Sequence, residues 1–213
     1  MSRSQGSFGS VSLRAPRRRD GPAWVETRVR DQDWLEPWEA VPPAAALVPW
    51  AERQTTASWA GTLRVLRRQA RHGQALPLVV LVGGRFAGQV TVAQVVRGAL
   101  ESASVGYWVD SRLAGRGVGT VAVALAVEHA FSELGLHRVE AAVRPENVRS
   151  RALLARLGFR EEGALVRSLF ADGAWRDHLV CGLTVEEVPA AGMLSRLPRD
   201  TPARLPGPRD GGA

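Results

Sequence analysis

The chain has 213 residues, of which 45% are hydrophobic and 23% charged, and a formal net charge of +7. That length suffices for one domain with a real core. No run of about 18 apolar residues exists to form a membrane-spanning helix, and no apolar signal-peptide core is present at the N-terminus.

Residues 1–9 are rich in Ser and Gly and are expected to be disordered. Val11 to Arg14 reads as a first strand. Arg17 to Arg19 is a basic cluster, either a solvated loop or a contact for phosphate or an acidic substrate. Asp20 is placed to cap a helix with Pro22 in its first turn. Five of the seven tryptophans (Trp24, Trp34, Trp38, Trp50, Trp59) precede residue 60, and each suits either the core or a recognition groove. Asp31, Asp33, Glu36 and Glu39 supply acidic groove residues for a cationic group. Thr56 is expected to cap a helix whose Trp59, Leu63, Leu66 and Ala70 share one face, and Gly73 to end it.

Leu78 to Val82 is continuously apolar, as in a strand buried on both faces. Gly83-Gly84 signals a hairpin, and Phe86 to Val96 alternates as the returning strand. Leu100 to Val109 follows and delivers the chain to Ala114-Gly115-Arg116-Gly117-Val118-Gly119-Thr120. Glycines there admit a ligand close to the backbone, and the helix opening near Val118 offers free N–H groups and a positive dipole end. This combination suits a pyrophosphate. The lysine of a nucleoside-triphosphate loop is missing, since all 28 basic residues are arginine. The glycine spacing also differs from the dinucleotide fingerprint.

Val123, Val127, Phe131 and Leu134 form the next apolar face, closed by Gly135. His137 to Val143 then follows a helical crossover and should lie parallel to the preceding strand. Asn147 is placed to cap a helix carrying Leu153, Leu154 and Leu157. Phe159 to Phe170 and Trp175 to Val185 make a last hairpin about Asp172-Gly173. From Val188 the chain is Pro-, Ala- and Gly-rich and reads as a disordered tail. The domain is therefore expected over 10–187, with 1–9 and 188–213 outside it.

Arg112-Leu-Ala-Gly115-Arg-Gly117 fits the Arg/Gln-x-x-Gly-x-Gly/Ala pattern of the GNAT acetyltransferases. The longer run Tyr107-Trp-Val-Asp through Thr120 resembles the ribosomal-protein-alanine N-acetyltransferase (RimJ/RimL) branch. So do His137-Arg-Val-Glu-Ala, Pro145-Glu-Asn-Val-Arg-Ser150, Leu157-Gly-Phe-Arg-Glu-Glu-Gly163 and Gly173-Ala-Trp-Arg-Asp-His178. The resemblance implies an α/β (α+β) fold: a mostly antiparallel sheet of about seven strands, one parallel pair splayed around the cofactor, and about four flanking helices. It implies acetyl-CoA as cosubstrate, with pantetheine along Trp108 and Val109 and pyrophosphate on the N–H groups of Ala114 to Thr120. The Arg116 side chain and the Thr120 hydroxyl can add to that site.

Many GNAT enzymes protonate the departing thiolate with a tyrosine on the helix after the fifth strand; here that position is Leu154. The RimL-type pattern instead places a serine three residues after the asparagine, which makes Ser150 the acid and Asn147 a cofactor-holding or site-ordering group. Both can equally be helix-capping residues. The family's glutamate positions are occupied by Leu169 and Ala142. Glu140 shares a strand face with Ala142 and is the candidate base, with an arginine ion pair as the alternative. Asp177 and His178 are a second pair.

The expected reaction is acetyl transfer to an amine, a protein N-terminus such as that of a ribosomal protein or else a small amine (antibiotic or polyamine). A non-catalytic CoA-binding sensor or interaction module is the alternative from another class. No metal-ligand cluster is evident. The lone Cys181 fits a reducing cytoplasm. Lysine, isoleucine and all but one asparagine are missing, which fits a GC-rich coding sequence. Much of the positive charge is thus arginine in place of lysine, and no dedicated nucleic-acid or membrane partner is implied. A monomer and a homodimer fit equally.

Overall fold

The computed structural model describes residues 9–197 and the backbone of Ala203 and Arg204. Residues 1–8, where most of the expected disordered N-terminus falls, lie outside the described residues. The elements run β1 (Val11–Arg14), α1 (Gly21–Arg30), α2 (Gln32–Leu35), α3 (Pro43–Ala46), α4 (Trp50–Arg53), α5 (Thr56–Arg71), β2 (Leu76–Val82), β3 (Arg85–Val96), β4 (Ser102–Val109), α6 (Val118–Ser132), β5 (Arg138–Val143), α7 (Val148–Arg156), β6 (Arg160–Ala171), β7 (Ala174–Thr184) and β8 (Ala203–Arg204). The strands form one sheet in the order β6-β7-β5-β4-β3-β2-β1-β8. The expected parallel pair is β4 and β5, and a two-residue parallel pairing of β8 with β1 joins it at the far edge. Four of the helices are longer than two turns; α2, α3 and α4 have four residues each.

Both faces of β2 are buried, as its unbroken apolar run requires. Val80 turns toward α6 and the main core, and Val79 toward Trp24 and Trp59 beneath α1 and α5. Helix α6 is buried on nearly every side, from Val121 through Val127 and on to Phe131. Its apolar character all round is that of a helix inside a core. It ends at Ser132, so Leu134 packs from the following turn, where Gly135 takes φ 63°. Gly88 has φ 149°, and a Cβ there would overlap the Trp108 carbonyl oxygen. Only glycine lets β3 run this close to the end of β4.

Several local expectations shift. Thr55, not Thr56, caps α5, its hydroxyl accepting from Ser58 N at 3.0 Å. Asp20 spends its carboxylate on Arg14 (2.6 and 2.8 Å) and on Arg17 N (2.7 Å), closing the short turn Arg18–Asp20, rather than on the start of α1. The buried face of α5 is Trp59 and Leu63, and Ala70 is exposed.

The tail expected from Val188 is packed as far as residue 197. Met193 is fully buried in a single turn, Met193–Arg196, against α6. Its N–H reaches Glu128 at 3.1 Å, and Arg196 Nη1 donates to the Leu157 carbonyl at 2.7 Å. The Pro/Ala/Gly composition of the whole segment masked this short apolar turn. The rest of the expected tail lies outside the described residues, save the two paired in β8. Met193→Ala is expected to cost about 2–4 kcal/mol, the usual range for emptying a buried site. Urea unfolding reads it, and an unchanged midpoint would show the turn to be dispensable.

Candidate active site

Strand β4 pairs with β5 only at Ser102–Arg138, Ala103–Val139 and Ser104–Glu140. Beyond this, β5 stays with β7 as far as Val143, while β4 stays with β3 as far as Val109. The two strands therefore part company, and the β5-facing edge of Val105–Val109 has no strand partner. Backbone amides on such an edge demand hydrogen bonds, and an extended amide-bearing ligand can supply them.

The wedge opens onto the glycine loop. Gly115 (φ 72°) and Gly117 (φ 80°) turn the chain into α6, with Gly117 at the left-handed N-cap. Ala114 N and Arg116 N are used in tight turns, to Ser111 O and Leu113 O. The N–H groups left for a ligand are those of Gly115, Gly117 and the first turn of the helix, Val118 to Thr120. A left-handed glycine feeding a helix start makes an anion cradle.

The loop is braced from below. Asp31, at the end of α1, accepts from Ser111 N (2.7 Å) and Ser111 Oγ (2.8 Å). Asp110 accepts from Arg112 N (2.9 Å) and forms ion pairs with Arg30 and Arg112. Asp31 is thus buried and structural rather than a groove residue, and Arg112 faces Asp110. Burial opposes ionisation of both aspartates. Hydrogen bonds from Arg30 and Ser111 outweigh it at Asp31, and those from Arg112 outweigh it at Asp110, holding both carboxyls below their ordinary value. Asp20 behaves alike: the hydrogen bonds from Arg14 and Arg17 outweigh burial. A depressed folded-state pKa stabilises fully above the unfolded value and is lost as pH falls through the folded one. Thermal stability is therefore expected to fall below about pH 4, and Asp110→Asn should flatten that fall. A melting series against pH checks this, and equal slopes would remove Asp110 from the account.

One cavity of about 820 Å³ joins the wedge, the loop and a tryptophan-lined mouth. Among the residues expected at the site, Trp108, Val109, Ala114, Gly115, Gly117, Val118, Gly119, Thr120, Asn147 and Ser150 all line it. Arg116 and Glu140 are not among its lining residues. Glu140 sits at the last closed β4–β5 pair, with its carboxylate on Arg138 at 2.7 Å. His178 is buried against Arg176 O and Ser168 Oγ, and Asp177 accepts from Arg167 N. Leu169 and Ala142 stand apart from the cavity as well.

Asn147 and Ser150 have separate tasks. Asn147 Oδ1 caps α7 by accepting from Ser150 N at 3.0 Å. The Ser150 hydroxyl instead meets the phenol of Tyr107, Oη to Oγ, at 2.7 Å. Tyr107 went unrecognised in the sequence because it precedes the loop. Strand alternation is the signal that places it, with Val105 and Val109, on one face of β4.

The mouth of the cavity is aromatic and charged. Trp34, Leu35 and Trp38 line it, whereas Trp24, Trp50 and Trp59 are core. Buried Arg28 lies 4.9 Å, 4.6 Å and 5.5 Å from the ring centroids of Trp24, Trp50 and Trp108. It pairs with Glu39 and donates to Gln54 at 2.7 Å. Burial draws its pKa down against the pull of Glu39. Gln89 accepts from the indoles of Trp24 (2.8 Å) and Trp108 (3.2 Å). Glu39 is the one carboxylate lining this cavity among the described residues. It also borders a neighbouring cleft of about 360 Å³ with Asp33, Glu36 and Asp172. Among the described residues no cluster able to hold a metal ion is found, and no helix is long and apolar enough to cross a membrane.

Residues 10–160 match the family model described as Acetyltransferase (GNAT) domain. The structure of Mycobacterium smegmatis RimJ in complex with CoA-disulfide superposes with TM-score 0.83 at 46% identity, covering 89% of this chain and 92% of that one. "[Ribosomal protein uS5]-alanine N-acetyltransferase" of Escherichia coli (strain K12) is 28% identical over 172 residues, 79% of this chain and 85% of that protein. "Probable N-acetyltransferase YjcK" of Bacillus subtilis (strain 168) is 42% identical over 99 residues, 46% of this chain and only 55% of that relative's length. The chain belongs to the GNAT acetyltransferase family, and within it to the RimJ/RimL-type branch of acetyl-CoA-dependent acyltransferases.

Proposed function

We propose that this chain moves the acetyl group of acetyl-CoA to the N-terminal α-amine of a protein, a ribosomal protein being the favoured class. The observation that carries the reading is the convergence, in one cavity, of an open strand edge, a glycine cradle and the Ser150 hydroxyl, opposite a tryptophan-lined mouth. The relatives named for ribosomal-protein alanine support a protein acceptor.

The open edge of Val105–Val109 holds the amides of pantetheine, and Gly115, Gly117 and Val118 to Thr120 hold the pyrophosphate. Trp34 and Trp38 line the mouth by which the acceptor enters. An α-amine has an ordinary pKa near 8, against about 10.4 for lysine, so it is readily neutral and needs little help from a base. Glu140, at the closed end of the wedge, has no part in this scheme. As the amine attacks, a nitrogen–carbon bond forms and a proton leaves to solvent. A backbone N–H near Val109 steadies the oxyanion. The carbon–sulfur bond then breaks with its electron pair on sulfur, and the Ser150 hydroxyl passes its proton to the sulfur and regains one from solvent, which has taken up the proton released by the amine.

The acidic cleft beside Glu39 also suits polyamines and aminoglycosides, so a direct competition decides. An Ala-starting peptide is expected to be acetylated in preference to spermidine or an aminoglycoside at equal concentration. Turnover confined to the small amines would move the assignment to them. Tight acetyl-CoA binding without turnover on either would favour a binding module.

A further inference from the structure

Tyr107 is the sole tyrosine of the chain, and it sits where the wedge has opened, three residues past the last β4–β5 pair at Ser104. Its phenol reaches across to the first turn of α7. The acceptors in reach are Ser150 Oγ at 2.7 Å and, more weakly, Ser150 O at 3.5 Å. Burial pushes the phenol pKa above its ordinary value, and the Ser150 contact opposes this only in part. The group is therefore neutral at physiological pH and carries a proton to donate.

A serine hydroxyl has one proton and two lone pairs. If the phenol donates to Oγ, the Ser150 proton cannot lie along that contact. Ser150 N is already bonded to Asn147 Oδ1, so the helix cap does not depend on the hydroxyl. The hydroxyl proton is left to face the cavity, where the thiolate departs. We propose that Tyr107 is the positioning residue for Ser150: it fixes the Ser150 rotamer and aims its proton at the leaving sulfur. This rests on Ser150 acting as the acid. It assigns to a strand tyrosine a share in the task that the missing helix tyrosine performs in other members of the superfamily.

The test is a double-mutant cycle with acetyl-CoA and an Ala-starting peptide. Tyr107→Phe keeps the ring and is expected to lower kcat about tenfold with KM for acetyl-CoA within about twofold; Ser150→Ala should lower kcat about a hundredfold. In the double variant, loss of the phenol should add nothing to the loss of the serine. Additive losses, or an unchanged kcat in Tyr107→Phe alone, would overturn the positioning role while leaving Ser150 in place. An unchanged kcat in Ser150→Ala would instead overturn the acid itself, and Tyr107's role with it. A second readout needs no turnover. Free tyrosine ionises near pH 10, so in a rapid pH titration of the folded wild type the 295 nm phenolate band should appear only above that value. Ionisation at the ordinary pH would show that the phenol stands in water and would sink the contact.

Discussion

Ser150→Ala is expected to reduce kcat about a hundredfold while acetyl-CoA affinity stays within about twofold and stability falls by about 1 kcal/mol as the Tyr107 phenol loses its partner. The division of labour at the start of α7 gives this outcome. Asn147 Oδ1 satisfies the Ser150 N–H at 3.0 Å, and alanine keeps that N–H. What alanine removes is the hydroxyl that meets Tyr107 in the wedge. Stopped-flow thiol release gives kcat, and calorimetric titration gives the affinity. A parallel loss of affinity would make Ser150 part of the binding surface. Full turnover would leave the sulfur's proton to solvent.

Gly117→Trp is expected to weaken CoA binding more than about a hundredfold without unfolding the domain. Gly117 has φ 80°, and no protein atom lies within 4 Å of the position a Cβ would take. The left-handed backbone costs a non-glycine residue about 1–2 kcal/mol, which a domain of this size tolerates. Gly117 lines the cavity beside Val118 to Thr120, so an indole there occupies the space beside the first-turn N–H groups of α6. A melting curve separates the two effects. A stable variant that still binds CoA would place the pyrophosphate elsewhere.

Motifs with local physics were legible in the sequence. The glycine loop announces itself because left-handed backbone and a helix start each leave a mark in a few residues, and the crossover from β4 to β5 dictates a parallel pair. Contacts between distant segments were not. Tyr107 and Ser150 lie 43 residues apart in the chain, and nothing in either neighbourhood gives their separation in space. Asp31 illustrates the same limit: beside Asp33 it reads as acidic groove, yet folding carries it under Ser111. Glu140 lies on the strand the sequence assigns it, but away from the cavity. It pairs with Ser104, where the sheet is still closed, and the point at which two strands separate is set by what each pairs with on its other side. The tail failed by averaging, since Met193, Leu194 and Leu197 are a small apolar minority in their segment.

The most direct measurement is the position of the acetyl group on a peptide that offers both kinds of amine, an N-terminal alanine and an internal lysine, read by fragmentation mass spectrometry after incubation with acetyl-CoA. The account predicts a single acetyl on the α-amine, because only that amine is readily neutral at the unassisted site. Acetyl found on the lysine ε-amine with the N-terminus untouched would require a strong base in the cavity and would contradict the account.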